Sequence, residues 1–196
     1  MRPLAVLACC LALAMAPSVA LAAANDGPSA QAPEADSATA PLRSLVGRWS
    51  GALGYRDYQS DRLFEIPVTT TIVQVADGVT QIRTSLFDDG PDKPVWITTT
   101  SLLDEAAGTV TSASYRSGQS VALTTETVRL ATWTDPAHWT LVYESVAEDD
   151  DQPAEIRVTE TRDGDSLMSV KDVRPVGADD SAWRFRSQTR LTRLGD

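Results

Sequence analysis

The chain has 196 residues, 17 basic against 27 acidic, one histidine and two cysteines, for a net charge of −10. That length supports one domain with its own core. The acidic balance repels phosphate backbones and anionic lipid surfaces, so neither nucleic acid nor a membrane surface is an expected partner.

Met1-Arg2 is a short positive start, and Leu4 to Met15 is an unbroken apolar run. Pro17-Ser18 interrupts it, and Ala20-Leu21-Ala22 has the small-x-small pattern that a signal peptidase reads. Residues 1–22 therefore read as a secretory signal, too short and wrongly flanked for a membrane span. The expectation is an exported protein, periplasmic or secreted. Cys9 and Cys10 both fall in the signal, which leaves the exported part without a thiol for a disulfide, a metal or nucleophilic attack. Val6-Leu7-Ala8-Cys9 has the outline of a lipobox, but the apolar core continues past Cys9 instead of closing there. Residues 23–41 are rich in Ala, Pro, Ser and Asp without an apolar period, the composition of a flexible tether. The folded domain is expected over 42–196.

Turn signals then recur at short intervals, among them Asp77-Gly78, Asp88-Asp89-Gly90-Pro91, Ser117-Gly118, Asp149-Asp150-Asp151 and Asp163-Gly164. Between them lie runs rich in Thr, Val, Ile, Trp and Tyr: Gly47 to Tyr58, Val68 to Val75, Val79 to Phe87, Val95 to Leu103, Val128 to Trp133, Trp139 to Val146, Ile156 to Thr161, Leu167 to Val173 and Trp183 to Leu194. Composition, spacing and alternation predict about ten consecutive antiparallel strands. No segment predicts a helix longer than a turn or two; Asp104 to Ala107 is a candidate for one turn. A meander of this size hides its edges most simply by closing. The predicted fold class is all-β, a meander closed into a small lipocalin-like barrel, with a two-sheet sandwich as the rival. Arg184, Arg186, Gln188 and Arg190 fill one face of the last strand, which does not suit a lipid-facing barrel.

The opening strand reads Gly47-Arg48-Trp49-Ser50-Gly51-Ala52-Leu53-Gly54-Tyr55. Gly-x-Trp on a first strand with a basic residue on the last resembles the lipocalin and fatty-acid-binding-protein superfamily. The resemblance implies that Trp49 plugs the closed end, that Gly47 allows close approach there, and that an arginine of the final strand covers the indole. Arg184, Arg186 and Arg190 are the candidates, and the sequence does not choose among them. The same opening is similar to nitrobindin-type haem-binding barrels. Tyr55 to Tyr58 together with Phe87 to Lys93 resembles exported bacterial barrels without assigned activity. The later Thr-Asp-Tyr landmark of lipocalins is missing.

The chemistry is sparse. His138 follows Asp135-Pro136-Ala137 and so sits at a turn, whereas a haem ligand must project inward. Gly118-Gln119-Ser120 lacks the second glycine and the following helix of a nucleophile elbow. Glu148 to Asp151 reads as a solvated hairpin tip sooner than a calcium loop. No cofactor and no metal site is assigned. Glu126, Glu144 and Glu160 each fall in mid-strand and face either solvent arginines or the interior. Two inward carboxylates would make an acid–base pair. Tyr55, Phe87, Trp96, Trp133 and Tyr143, with Trp49, are the candidate lining of an apolar-ligand cavity, although aromatics line ordinary cores as well. Three functions follow: a carrier of a small apolar or amphipathic molecule, an envelope interaction module using its acidic loops, and a carboxylate-based hydrolase.

Overall fold

Thr- and Val-rich segments, whose β-branched residues and alternation favour extended backbone, pair in succession around one axis. The computed structural model describes residues 37–57, 62–91 and 93–195; the expected signal, Cys9, Cys10 and most of the expected tether lie outside them. A short helix α1 (Thr39–Ser44) precedes ten strands: β1 (Gly47–Asp57), β2 (Arg62–Gln74), β3 (Thr80–Asp88), β4 (Pro94–Asp104), β5 (Thr109–Arg116), β6 (Ala122–Asp135), β7 (His138–Asp149), β8 (Gln152–Asp163), β9 (Ser166–Pro175) and β10 (Arg184–Arg193). Every strand pairs antiparallel with its neighbours in sequence, and β10 returns to pair with β1, closing the barrel. The barrel, not the sandwich, is the architecture.

Two local expectations are corrected. The tether was drawn to Pro41, yet Thr39–Ser44 is helical, and Ala38 and Pro41 are buried. Packing onto the barrel end overrides a composition that cannot form a helix alone. Asp104 to Ala107 is a turn rather than a helical turn. The Asp104 carboxylate accepts the Ala107 N–H at 3.0 Å, and Gly108 follows at φ 62°.

Strand alternation sorts side chains into an inner and an outer set. The inner set is apolar at the α1 end, where Trp49, Ile72, Leu103, Val110, Leu141, Leu167 and Leu191 pack with Leu45. Further along the barrel it turns polar. Thr70 with Ser85, Thr99 with Ser114 and Ser101 with Ser112 form hydroxyl pairs at 2.7–2.8 Å between adjacent strands. A β-bulge between Phe185 and Ser187 shifts the phase of β10. The expected single arginine face is therefore broken within the strand.

Candidate functional site

The α1 end packs around Trp49. Trp49 is 0% exposed and donates its indole N–H to Leu45 O at 2.8 Å. Two guanidinium groups lie over its ring, Arg193 at 5.4 Å and Arg162 at 5.5 Å from the centroid. The resemblance implied such an arginine from the last strand, and Arg193 belongs to β10. The three candidates lie elsewhere: Arg184 is exposed, Arg186 donates to Asp149 at 3.2 Å, and Arg190 pairs with Glu65. The register explains the correction, because Trp49 stands opposite Arg193 and Arg190 stands opposite Ala52. Arg162, on β8, was missed entirely. It reaches the base through closure of the barrel, which no local pattern reveals.

Both arginines also serve the end of α1, donating to Ser44 O. Arg193 donates to Val46 O at 2.7 Å, and Arg162 to Gly164 O at 3.0 Å. Unpaired carbonyls at a helix C-terminus favour cations. Burial first, then the neighbouring Arg193 charge, pulls the Arg162 pKa below its ordinary value. Trp139 completes the packing, donating to Ser44 Oγ at 2.9 Å and Pro136 O at 3.2 Å.

Beyond this base lie two adjoining cavities. The first, about 230 Å³, runs beneath α1 and is walled by Leu42, Gln74, Gln81, Leu103, Glu126 and Tyr143, among others. The second, about 200 Å³, is bounded by Val68, Ser85, Phe87, Ile97, Leu167 and Leu191, among others. Arg83, Thr99, Glu160 and Ser169 line both. Glu160 is 4% exposed, and its Oε2 lies 3.4 Å from both terminal nitrogens of Arg83. An ion pair thus stands between the two spaces.

Glu126 faces the first cavity, where the Ser145 hydroxyl donates to it at 3.4 Å. Burial raises its pKa, against the opposing effects of Ser145 and Lys171. Burial, then the Glu160 charge, lifts the Tyr143 phenol well above its usual range. Tyr143 is therefore a neutral hydrogen-bonding group at physiological pH. Glu144 faces outward, bonded to Arg157 at 2.8 Å.

The expected aromatic lining divides. Phe87 and Tyr143 line cavities. Tyr55 lies against Phe64, ring centroids 5.3 Å apart, and is partly exposed. Trp133 packs on the core cluster, and neither it nor Tyr55 borders either cavity. Trp96 is 57% exposed on the outer face, next in sequence to Val95, the partner of Phe87. Aromatic residues alone do not fix strand parity. The polar lining, Arg83 with Gln74, Gln81 and the hydroxyls, was missed because charged and polar residues on half-buried strands ordinarily read as solvent-facing.

A histidine-held haem does not fit. His138 is the sole histidine of the chain. Its Nδ1 lies 2.9 Å from Asp135 and its Nε2 3.5 Å from Asp163, at an outer turn with the ring half exposed. The acidic run around Asp150 forms the β7–β8 turn, with Asp149 bonded to Lys171 and Arg186.

Neither a family model nor a curated protein matches the chain. Among solved structures, the crystal structure of Rv2717c from M. tuberculosis superposes with a TM-score of 0.54 at 18% identity. The match covers 79% of this chain and 95% of that one. That likeness shows the barrel fold alone. A protein of unknown function of the DUF3598 family from Nostoc punctiforme, 7% identical over 81% of this chain and 99% of that one, has a TM-score of only 0.25. Among the described residues no helix is long and apolar enough to cross a membrane. The fold is a closed ten-stranded antiparallel barrel whose interior cavities carry both apolar and polar side chains.

Proposed function

We propose that this chain is an exported, lipocalin-like barrel that carries a small amphipathic molecule in its interior. One observation carries the reading: the Arg83–Glu160 pair stands between two cavities instead of being packed in a continuous core. With Glu160 buried and Arg83 half-buried, the pair gains little stability over apolar packing, because desolvation of the carboxylate offsets the attraction. Charged groups facing a cavity are characteristic of binding sites. Each cavity is smaller than the ~300 Å³ at which drug-sized sites begin, and the two together reach that range. The apolar walls from Leu42, Val68, Phe87 and Leu103 suit the hydrocarbon part of a guest, and the hydroxyl pairs suit its polar part. The signal-like start of the sequence supports export.

Native mass spectrometry of protein purified from its own host tests this. The expected spectrum contains a species heavier than the chain by one small molecule. Thr99→Phe and Ser169→Trp, at positions bordering both cavities, should each lose it while far-UV circular dichroism remains that of the barrel. A bare mass, with an extract holding no stoichiometric organic molecule, contradicts the reading.

A second reading rests on Glu126 and Glu160 lining the same cavity, one shifted upward by burial and the other ion-paired. Two carboxyl groups in unlike surroundings can act as proton donor and acceptor in hydrolysis. Its test is release of nitrophenol from acyl and glycosyl nitrophenyl substrates. Turnover abolished by both Glu126→Gln and Glu160→Gln supports it; no turnover by the native chain removes it.

A further inference from the structure

The cavity beneath α1 carries two carboxylates and one guanidinium among hydroxyl, amide and apolar groups. Its ionisable carboxylates are Glu126 and Glu160, and its guanidinium, Arg83, is already engaged by Glu160. Glu126 receives the long bond from Ser145. Lys171 acts on Glu126 electrostatically, but its ammonium lies 3.2 Å from Asp149. Leu42, Leu103, Val110 and Val158 supply the apolar remainder of the wall.

We propose that the guest of this cavity is a small organic cation, a primary alkylammonium whose head is received by Glu126, with the alkyl stem against the apolar wall. This rests on the reading of the barrel as a small-molecule carrier and names the class of guest. A carboxylate guest would bring a third negative charge beside Glu126 and Glu160 with no free cation on that wall, and like charges in a low-dielectric site repel. A neutral alcohol would leave the Glu126 carboxylate without a charge partner.

Isothermal titration with hexylammonium, hexanol and hexanoate at neutral pH separates these. All three share one chain length and are compact enough for a cavity of about 230 Å³. Hexylammonium should bind at least about tenfold more tightly than hexanol, a difference of ~1.4 kcal/mol, and hexanoate should bind least. Glu126→Gln should erase the preference for the ammonium and leave hexanol unchanged. Hexanoate or hexanol binding as well as hexylammonium overturns the cationic guest and leaves the carrier reading standing. So does a native complex whose extracted guest is neutral or anionic. Failure of all three probes together with a bare native mass defeats both.

Discussion

Gly51, two residues after Trp49, answers a steric requirement. A Cβ built on it would lie 1.8 Å from Arg190 O, in the backbone of the neighbouring strand. No side-chain adjustment relieves a clash with backbone. Gly51→Ala should therefore cost more than the ~1–3 kcal/mol of ordinary overpacking and open the β1–β10 seam. Urea denaturation measures this, and a loss under about 1 kcal/mol would mean the strands are not so closely apposed. Gly47, at φ 139° and against Arg193, has a related role at the base. The glycines around Trp49 were legible as a pattern, although what each one meets, the β10 backbone or Arg193, is not local. Arg162 and Arg193 were not, because their place over the indole follows from register and closure. Removing Arg193 with alanine breaks charge-assisted bonds to Ser44 O and Val46 O, for an expected loss of about 2 kcal/mol in the same assay. Arg190→Ala, at a partly exposed surface pair, should lose less than about 1 kcal/mol.

Glu126 makes a prediction of opposite sign. Burial raises its folded pKa above the unfolded value, so the folded chain holds that proton more tightly. The resulting stabilisation is fully present below the ordinary carboxylate range and is lost as pH rises through the raised folded value. At neutral pH the ionised group costs stability. Glu126→Gln should accordingly raise Tm by a few degrees at neutral pH, with the gain closing in acid. A residue whose replacement stabilises the fold but removes ligand preference is the signature of a functional position. An unchanged or lowered Tm at neutral pH would show that the carboxylate is well solvated.

Among the elements, the β7–β8 hairpin and α1 behave in contrasting ways. Asp150 and Asp151 both take positive φ, 54° and 57°, in the two-residue turn joining Asp149 to Gln152. Left-handed backbone at both central positions matches the twist of antiparallel strands, and glycine occupies it without strain. Asp151→Gly should stabilise the protein by up to about 1 kcal/mol, read from the shift in the urea midpoint. The acidic run revealed the turn, since such residues tolerate this conformation. Helix α1 was hidden, because six residues containing a proline have no helical tendency of their own. What holds it is tertiary: Gln81 donates to Leu42 O at 2.9 Å, Trp139 to Ser44 Oγ, and Glu105 accepts from Thr39. The strands lie between these extremes. Alternation gave about ten strands and located nine of them in order, without β5, and it could not say which face was inner. Trp96 was consequently assigned inward when its neighbours Val95 and Ile97 belong to the inner set.

At the scale of the whole molecule, the interior has a gradient. One end is packed by tryptophans, arginines and a helix; the middle carries hydroxyls among apolar side chains and is divided by an ion pair. A barrel needs a filled base to be stable, but it does not need Arg83, Glu160 and Glu126 inside it. Those groups are the part of the core that stability alone does not explain. The most direct test is a high-resolution crystal structure of protein purified from its own host without exchange of its contents. Continuous density for one organic molecule against Glu126 and the Arg83–Glu160 pair is the predicted result. Both cavities filled by ordered water alone, or closed by repacked side chains, would contradict it.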